Sequence, residues 1–105
     1  MLTFEKVLEV FSDFLEHDIE TEVVLTRHGY TVMSWNEEDE DWIFVTYCGT
    51  SKKLMETLAS NYSNLLEYEL DKGDRDLTDQ EQAEIDAKIA LLVKKCEEDS
   101  QGFSI

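Results

Sequence analysis

Apolar residues recur at three-and-four spacing through residues 2–16, at Phe4, Val7, Leu8, Phe11, Phe14 and Leu15. That spacing lays one stripe along a helix. Glu5 suits the positive end of such a helix, although Thr3 followed by Lys6 lacks the acidic partner of a capping box. After His17-Asp18-Ile19-Glu20 the period falls to two. Residues 21–27 and 30–35 are rich in β-branched and aromatic side chains, and His28-Gly29 between them is a dipeptide suited to a tight hairpin. This turn pairs Arg27 with Tyr30, Leu25 with Val32 and Val24 with Met33. Residues 42–47 make a third strand. With Trp35 facing Trp42, Met33 lies opposite Phe44 and Thr31 opposite Thr46. The register predicts one face of Val24, Met33, Trp35, Trp42 and Phe44. The other carries Val23, Leu25, Val32, Ile43 and Val45, with Tyr30 and Tyr47 at its edge. Both faces are apolar, so helices must cover one, and the second is either covered too or used for binding.

A long helix is expected from Thr50 or Ser51 as N-cap to about Lys72, ending at Gly73, with a stripe of Leu54, Met55, Leu58, Tyr62, Leu65, Leu66 and Leu70. Thr78-Asp79-Gln80-Glu81 is a capping box opening a last helix, whose apolar side is Ile85, Ile89, Leu92, Val93 and Cys96. Lys94 and Lys95 suit its C-terminal end. The order is α-β-β-β-α-α, an α+β fold in which a three-stranded antiparallel meander packs with three helices. Residues 1–98 form the single domain and 99–105 a tail, from which Phe103 and Ile105 are able to fold back.

Charge changes this picture more than length does. The 105 residues hold 25 Asp and Glu against 9 Lys and Arg, a net of −16. The excess is uneven: residues 1–49 carry 12 acids and 2 bases, and residues 50–105 carry 13 acids and 7 bases. Direct binding to nucleic acid is disfavoured, since phosphates are neutralised by clustered Lys and Arg, and anionic membranes are disfavoured for the same reason. Five Phe, four Tyr and two Trp, no Pro, and clear periodicity argue against acidic disorder. Without a signal peptide or a long apolar run, the chain reads as cytoplasmic, with Cys48 and Cys96 as reduced, buried thiols.

The acid is densest at residues 35–42, WNEEDEDW, where Glu37, Glu38, Asp39, Glu40 and Asp41 stand between Trp35 and Trp42. Asp13, Glu16, Asp18, Glu20 and Glu22 lie near the same end of the sheet. A solvated turn that guards an exposed strand explains the run alone. It does not explain the wider gathering of acid. A rigid surface with carboxylates as dense as duplex phosphates, about one per 1.7 Å, is able to occupy a basic nucleic-acid groove. The partner-binding residues expected on this basis are Glu20, Glu22, Trp35, Glu37, Glu38, Asp39, Glu40, Asp41 and Trp42.

Catalytic patterns are absent from the sequence. His17 and His28 lie in no HExxH or HxH arrangement, and no Gly-rich phosphate loop occurs. An EF-hand loop starting at Asp74 would place Asp79 at its sixth position and Ile85 at its twelfth, where glycine and glutamate are required. No enzyme activity, metal or cofactor is expected.

Three stretches, LTFEKVLEVFSDFL, VVLTRHGYTVMSW with its acidic turn, and LEYELDKGDRDLTDQEQ, resemble small acidic proteins from mobile elements of Gram-positive gut bacteria. Some proteins of that kind are anti-CRISPR inhibitors of the type II effector nuclease. The resemblance implies a non-enzymatic inhibitor that binds a basic nucleic-acid-binding surface of such a nuclease, and it carries no residue roles. Two alternatives stay open: another DNA-mimic or antirestriction protein, and a small regulatory subunit docking through its aromatic sheet face.

Overall fold

The computed structural model describes residues 2–101 except Ile19 and Gly73, with side chains followed as far as Glu97. The expected positions of Phe103 and Ile105 therefore lie outside the described residues. The fold is α+β: α1 (Phe4–Val10), α2 (Ser12–His17), β1 (Thr21–Thr26), β2 (Gly29–Asn36), β3 (Asp41–Cys48), α3 (Ser51–Asp71) and α4 (Asp79–Gln101). The strands form an antiparallel meander in the order β1-β2-β3.

The first helix is two pieces rather than one. Phe11, at φ −96° and ψ 14°, ends α1 and precedes α2. These angles fall in the sparsely used bridge between the helical and extended regions. Hydrogen bonding nevertheless continues across the joint, with Phe11 N–H donating to Val7 O at 3.0 Å and Leu15 N–H to Phe11 O at 3.1 Å. The apolar stripe survives the break, since Val7, Phe11 and Phe14 are all fully buried. Removing each such side chain from water contributes about 1.5–3 kcal/mol.

These residues meet the sheet through Val32 and Cys48, and α3 through Leu54, Met55, Leu58, Ala59 and Tyr62. The Phe4 ring lies 5.0 Å from that of Tyr30, and Phe14 stacks on Tyr62 at 4.8 Å. Helix α4 packs on α3 and α1, adding Cys96 to the core. All helices thus gather on one side of the meander. The molecule is correspondingly flat, 49 × 36 × 18 Å.

Both hairpins depart from the expected register. In the first, Thr26 pairs with Gly29 and Leu25 with Tyr30, so Arg27 and His28 make the turn. Gly29 is the residue with positive φ, at 113°. A two-residue turn at His28-Gly29 needs both residues left-handed, whereas the observed arrangement asks this only of the glycine. Face membership in β1 and β2 is unchanged, because the shift moves each partner by two. In the second hairpin Trp35 pairs with Trp42 as expected, but Thr31 pairs with Tyr47 instead of Thr46. Between Val32↔Thr46 and Ser34↔Ile43, β3 holds one extra residue, so Met33 faces both Phe44 and Val45. Phe44 takes φ 54° in this bulge. One extra residue reverses the side on which every later β3 side chain falls.

Caps set the long helices. Thr50 Oγ1 accepts from Lys53 N–H at 3.1 Å, and left-handed Lys72 caps the end of α3, donating its N–H to Tyr68 O; the expected stop at Gly73 lies outside the described residues. At α4 the capping box forms in both directions: Glu81 N–H donates to Thr78 Oγ1 at 3.1 Å, and Thr78 N–H donates to Glu81 Oε1 at 3.0 Å. Arg75 grips the same carboxylate with two bonds of 2.8 Å. That fork, more than the Thr78 contacts, holds the Glu81 carboxyl down at about 2. Because the folded value is below the ordinary one, the stabilisation is complete above about pH 4.5 and is lost as pH falls toward 2. Arg75→Ala is therefore expected to lower the thermal midpoint at pH 7, with the gap from the parent protein closing below pH 4. A gap that does not depend on pH would show that Arg75 acts only through its hydrogen bonds to Leu70 O and Asp76 O.

Candidate protein-binding surface at the acidic hairpin tip

The turn between β2 and β3 is built by its own side chains. Asn36 pairs with Asp41, leaving residues 37–40 as the connection. Asn36 Oδ1 accepts the N–H groups of Glu38 and Asp39 at 3.0 and 3.2 Å, the local bonding that makes Asn a turn former. Glu40 then takes φ 49° to bring the chain back. Glycine occupies such positions without strain, and another residue costs about 1–2 kcal/mol. Trp35 and Trp42 brace the base of the turn edge to face, with centroids 5.1 Å apart, and Trp35 Nε1 donates to Glu37 Oε2 at 2.8 Å.

The acidic side chains at residues 37–41 are all exposed. The ion pairs of Lys6 with Glu9, His17 with Glu69 and Arg75 with Glu81 lie elsewhere. Among the described residues, no cation is paired with the tip. Glu20 and Glu22 are brought to the same end of the sheet: Glu20 O accepts the Trp35 N–H at 2.8 Å, and exposed Glu22 pairs with Met33. Asn36 lies only three positions beyond Met33, roughly 10 Å along a strand. The nine residues singled out in the sequence therefore form one contiguous end of the meander.

The sheet face away from the helices continues this surface. Register puts Val24, Thr31, Met33, Trp35, Trp42 and Tyr47 on it. Tyr47, expected at the edge of the opposite face, is 73% exposed here. Phe44, expected beside Trp42, instead lines a groove with residues of α3. The bulge causes both exchanges, and no glycine in β3 marks it. At the centre of the open face Thr31 is buried among its neighbours, and its hydroxyl has no hydrogen-bond partner among the described residues.

Among the described residues, no three carboxylate, imidazole or thiol groups converge as a metal site would require. His17 Nε2 is 2.5 Å from Glu69 Oε1, tying the end of α2 to α3, and His28 is exposed in the first turn. Cys48 and Cys96 are buried free thiols, and burial raises the Cys96 value. No helix among the described residues is long and apolar enough to cross a membrane. Comparisons with protein-family models, with curated proteins and with solved structures found no match.

Proposed function

We propose that this chain is a non-enzymatic binding protein whose acidic hairpin tip enters a basic, nucleic-acid-binding groove of another protein. The continuity of five exposed carboxylates, with no cation paired to them among the described residues, and an open aromatic sheet face carries this reading. A turn that served solubility alone would need neither the Trp pair beneath it nor an acid at the strained Glu40 position. Carboxylates attract and orient the partner, and the aromatic face supplies the apolar contact that holds it. The resemblance in the sequence makes a type II CRISPR effector nuclease the first candidate partner. Such a nuclease holds its guide duplex in a positively charged channel and reads the flanking motif with arginines.

The open face also favours a second reading, a regulatory subunit docked mainly through Trp42, Met33 and Tyr47. Salt separates the two. If charge leads, association with the purified nuclease, with and without guide, should slow steeply between about 0.05 and 0.5 M salt, as screening shortens to a few ångströms. Inhibition of guided cleavage should fall in parallel. Binding that ignores salt supports the apolar reading, and no binding at any salt removes this nuclease as the partner.

A further inference from the structure

The geometry points to a second recognition site on the helix side of the sheet: a groove that takes an arginine side chain presented by a partner protein. The groove, about 360 Å³, lies between the end of the meander and α3 and is lined in part by Phe44, Tyr68, Leu65, Asp18 and Glu20. Both aromatics that line it are unusually open, Phe44 at 78% and Tyr68 at 60%. Phe44 also stands in the left-handed region, where a bulky side chain is a rare outlier. Neither exposure nor backbone strain helps the fold. An exposed ring held in a strained bulge therefore calls for another role.

Charge selects the occupant. Asp18 is held in place by accepting Thr21 Oγ1–H at 2.6 Å and Glu20 N–H at 3.1 Å, so its negative charge is fixed at the groove. Glu20 adds a second carboxylate, and Asn61 and Asn64 extend the polar lining. Aromatic faces beside carboxylates suit a flat guanidinium, which stacks on rings and donates in its plane. A second copy of this chain, at −16, does not fit so acidic a site. The groove adds a contact to the partner reading above and is tested without that partner.

The probe is an acetylated, amidated Gly-Arg-Gly peptide titrated into the full chain and followed by backbone amide NMR. Saturable shifts are expected at Phe44, Leu65 and Tyr68, with binding weakened roughly tenfold when citrulline, the neutral isostere, replaces arginine. Phe44→Gly relieves the left-handed strain, so its thermal midpoint should be unchanged or raised while peptide affinity falls roughly fivefold. Phe44→Tyr should restore binding. Equal binding of the citrulline peptide, full affinity in Phe44→Gly, or shifts confined to residues 37–41 would each overturn the site and leave the tip reading intact.

Discussion

Replacing Gly29 with alanine should destabilise this protein by about 2–4 kcal/mol, a large share of the roughly 5–15 kcal/mol available to a domain of this kind. Two causes add. At φ 113° an L side chain is strained in any surroundings, and a Cβ built there would meet Cys48 O at 2.5 Å and Gly49 Cα at 3.1 Å. Both obstacles are backbone, so neither swings aside. Relief requires parting Tyr30 from its β3 partner Cys48, whose side chain is buried in the core. The thermal midpoint should fall by at least about 10 °C. Gly49→Ala is the matched comparison, since a Cβ there meets only His28 O, at an ordinary 3.6 Å. That variant should hold or slightly gain stability, because alanine restricts the unfolded chain. If the two variants unfold alike, Arg27-His28 is not the turn.

The same glycine illustrates what the sequence makes legible and what it does not. His28-Gly29 marks a hairpin between two β-rich runs, and the hairpin is there. Which residues form its turn depends on Gly29 approaching β3, a contact between distant parts of the chain that local chemistry does not encode. Local reciprocity was enough at Thr78 and Glu81, where both halves of the capping box lie within four residues. The Trp35–Trp42 pair was readable because the turn closes between them. Beyond it the β3 bulge rests on Phe44, with no glycine to announce it, and so the face assignments of Phe44 and Tyr47 were exchanged. Likewise, Phe11 continues the helical stripe while its backbone leaves the helix, and periodicity records only the stripe. The acidic end of the sheet was legible because charge gathered in one turn stays gathered after folding. Its aromatic floor, and the Tyr68 groove beside it, depended on register and on α3 packing.

Neutralising the tip is the decisive experiment for function. Glu37, Glu38 and Glu40 become Gln, and Asp39 and Asp41 become Asn, which keeps an oxygen wherever one now accepts a bond. Glu37 still receives Trp35 Nε1–H, and Asp41 Oδ1, which accepts the Trp42 N–H at 2.8 Å, is likewise retained. Exposed turn charges contribute little, so the fold should stay within about 1 kcal/mol of the parent. Association with the proposed partner, a type II CRISPR effector nuclease, should slow roughly tenfold or more at low salt, because long-range charge acts on the encounter, and the deficit should shrink as salt rises. The control removes five exposed acids elsewhere, Asp74, Asp76, Asp79, Glu84 and Asp86, so that net charge is matched. Glu81 is left untouched because Arg75 and Thr78 depend on it. If only the tip variant slows, position matters and residues 37–41 enter the groove. Equal slowing of both would reduce their role to bulk charge. Parent-like rates in both would leave the run a solvated turn and shift the interaction onto the aromatic face.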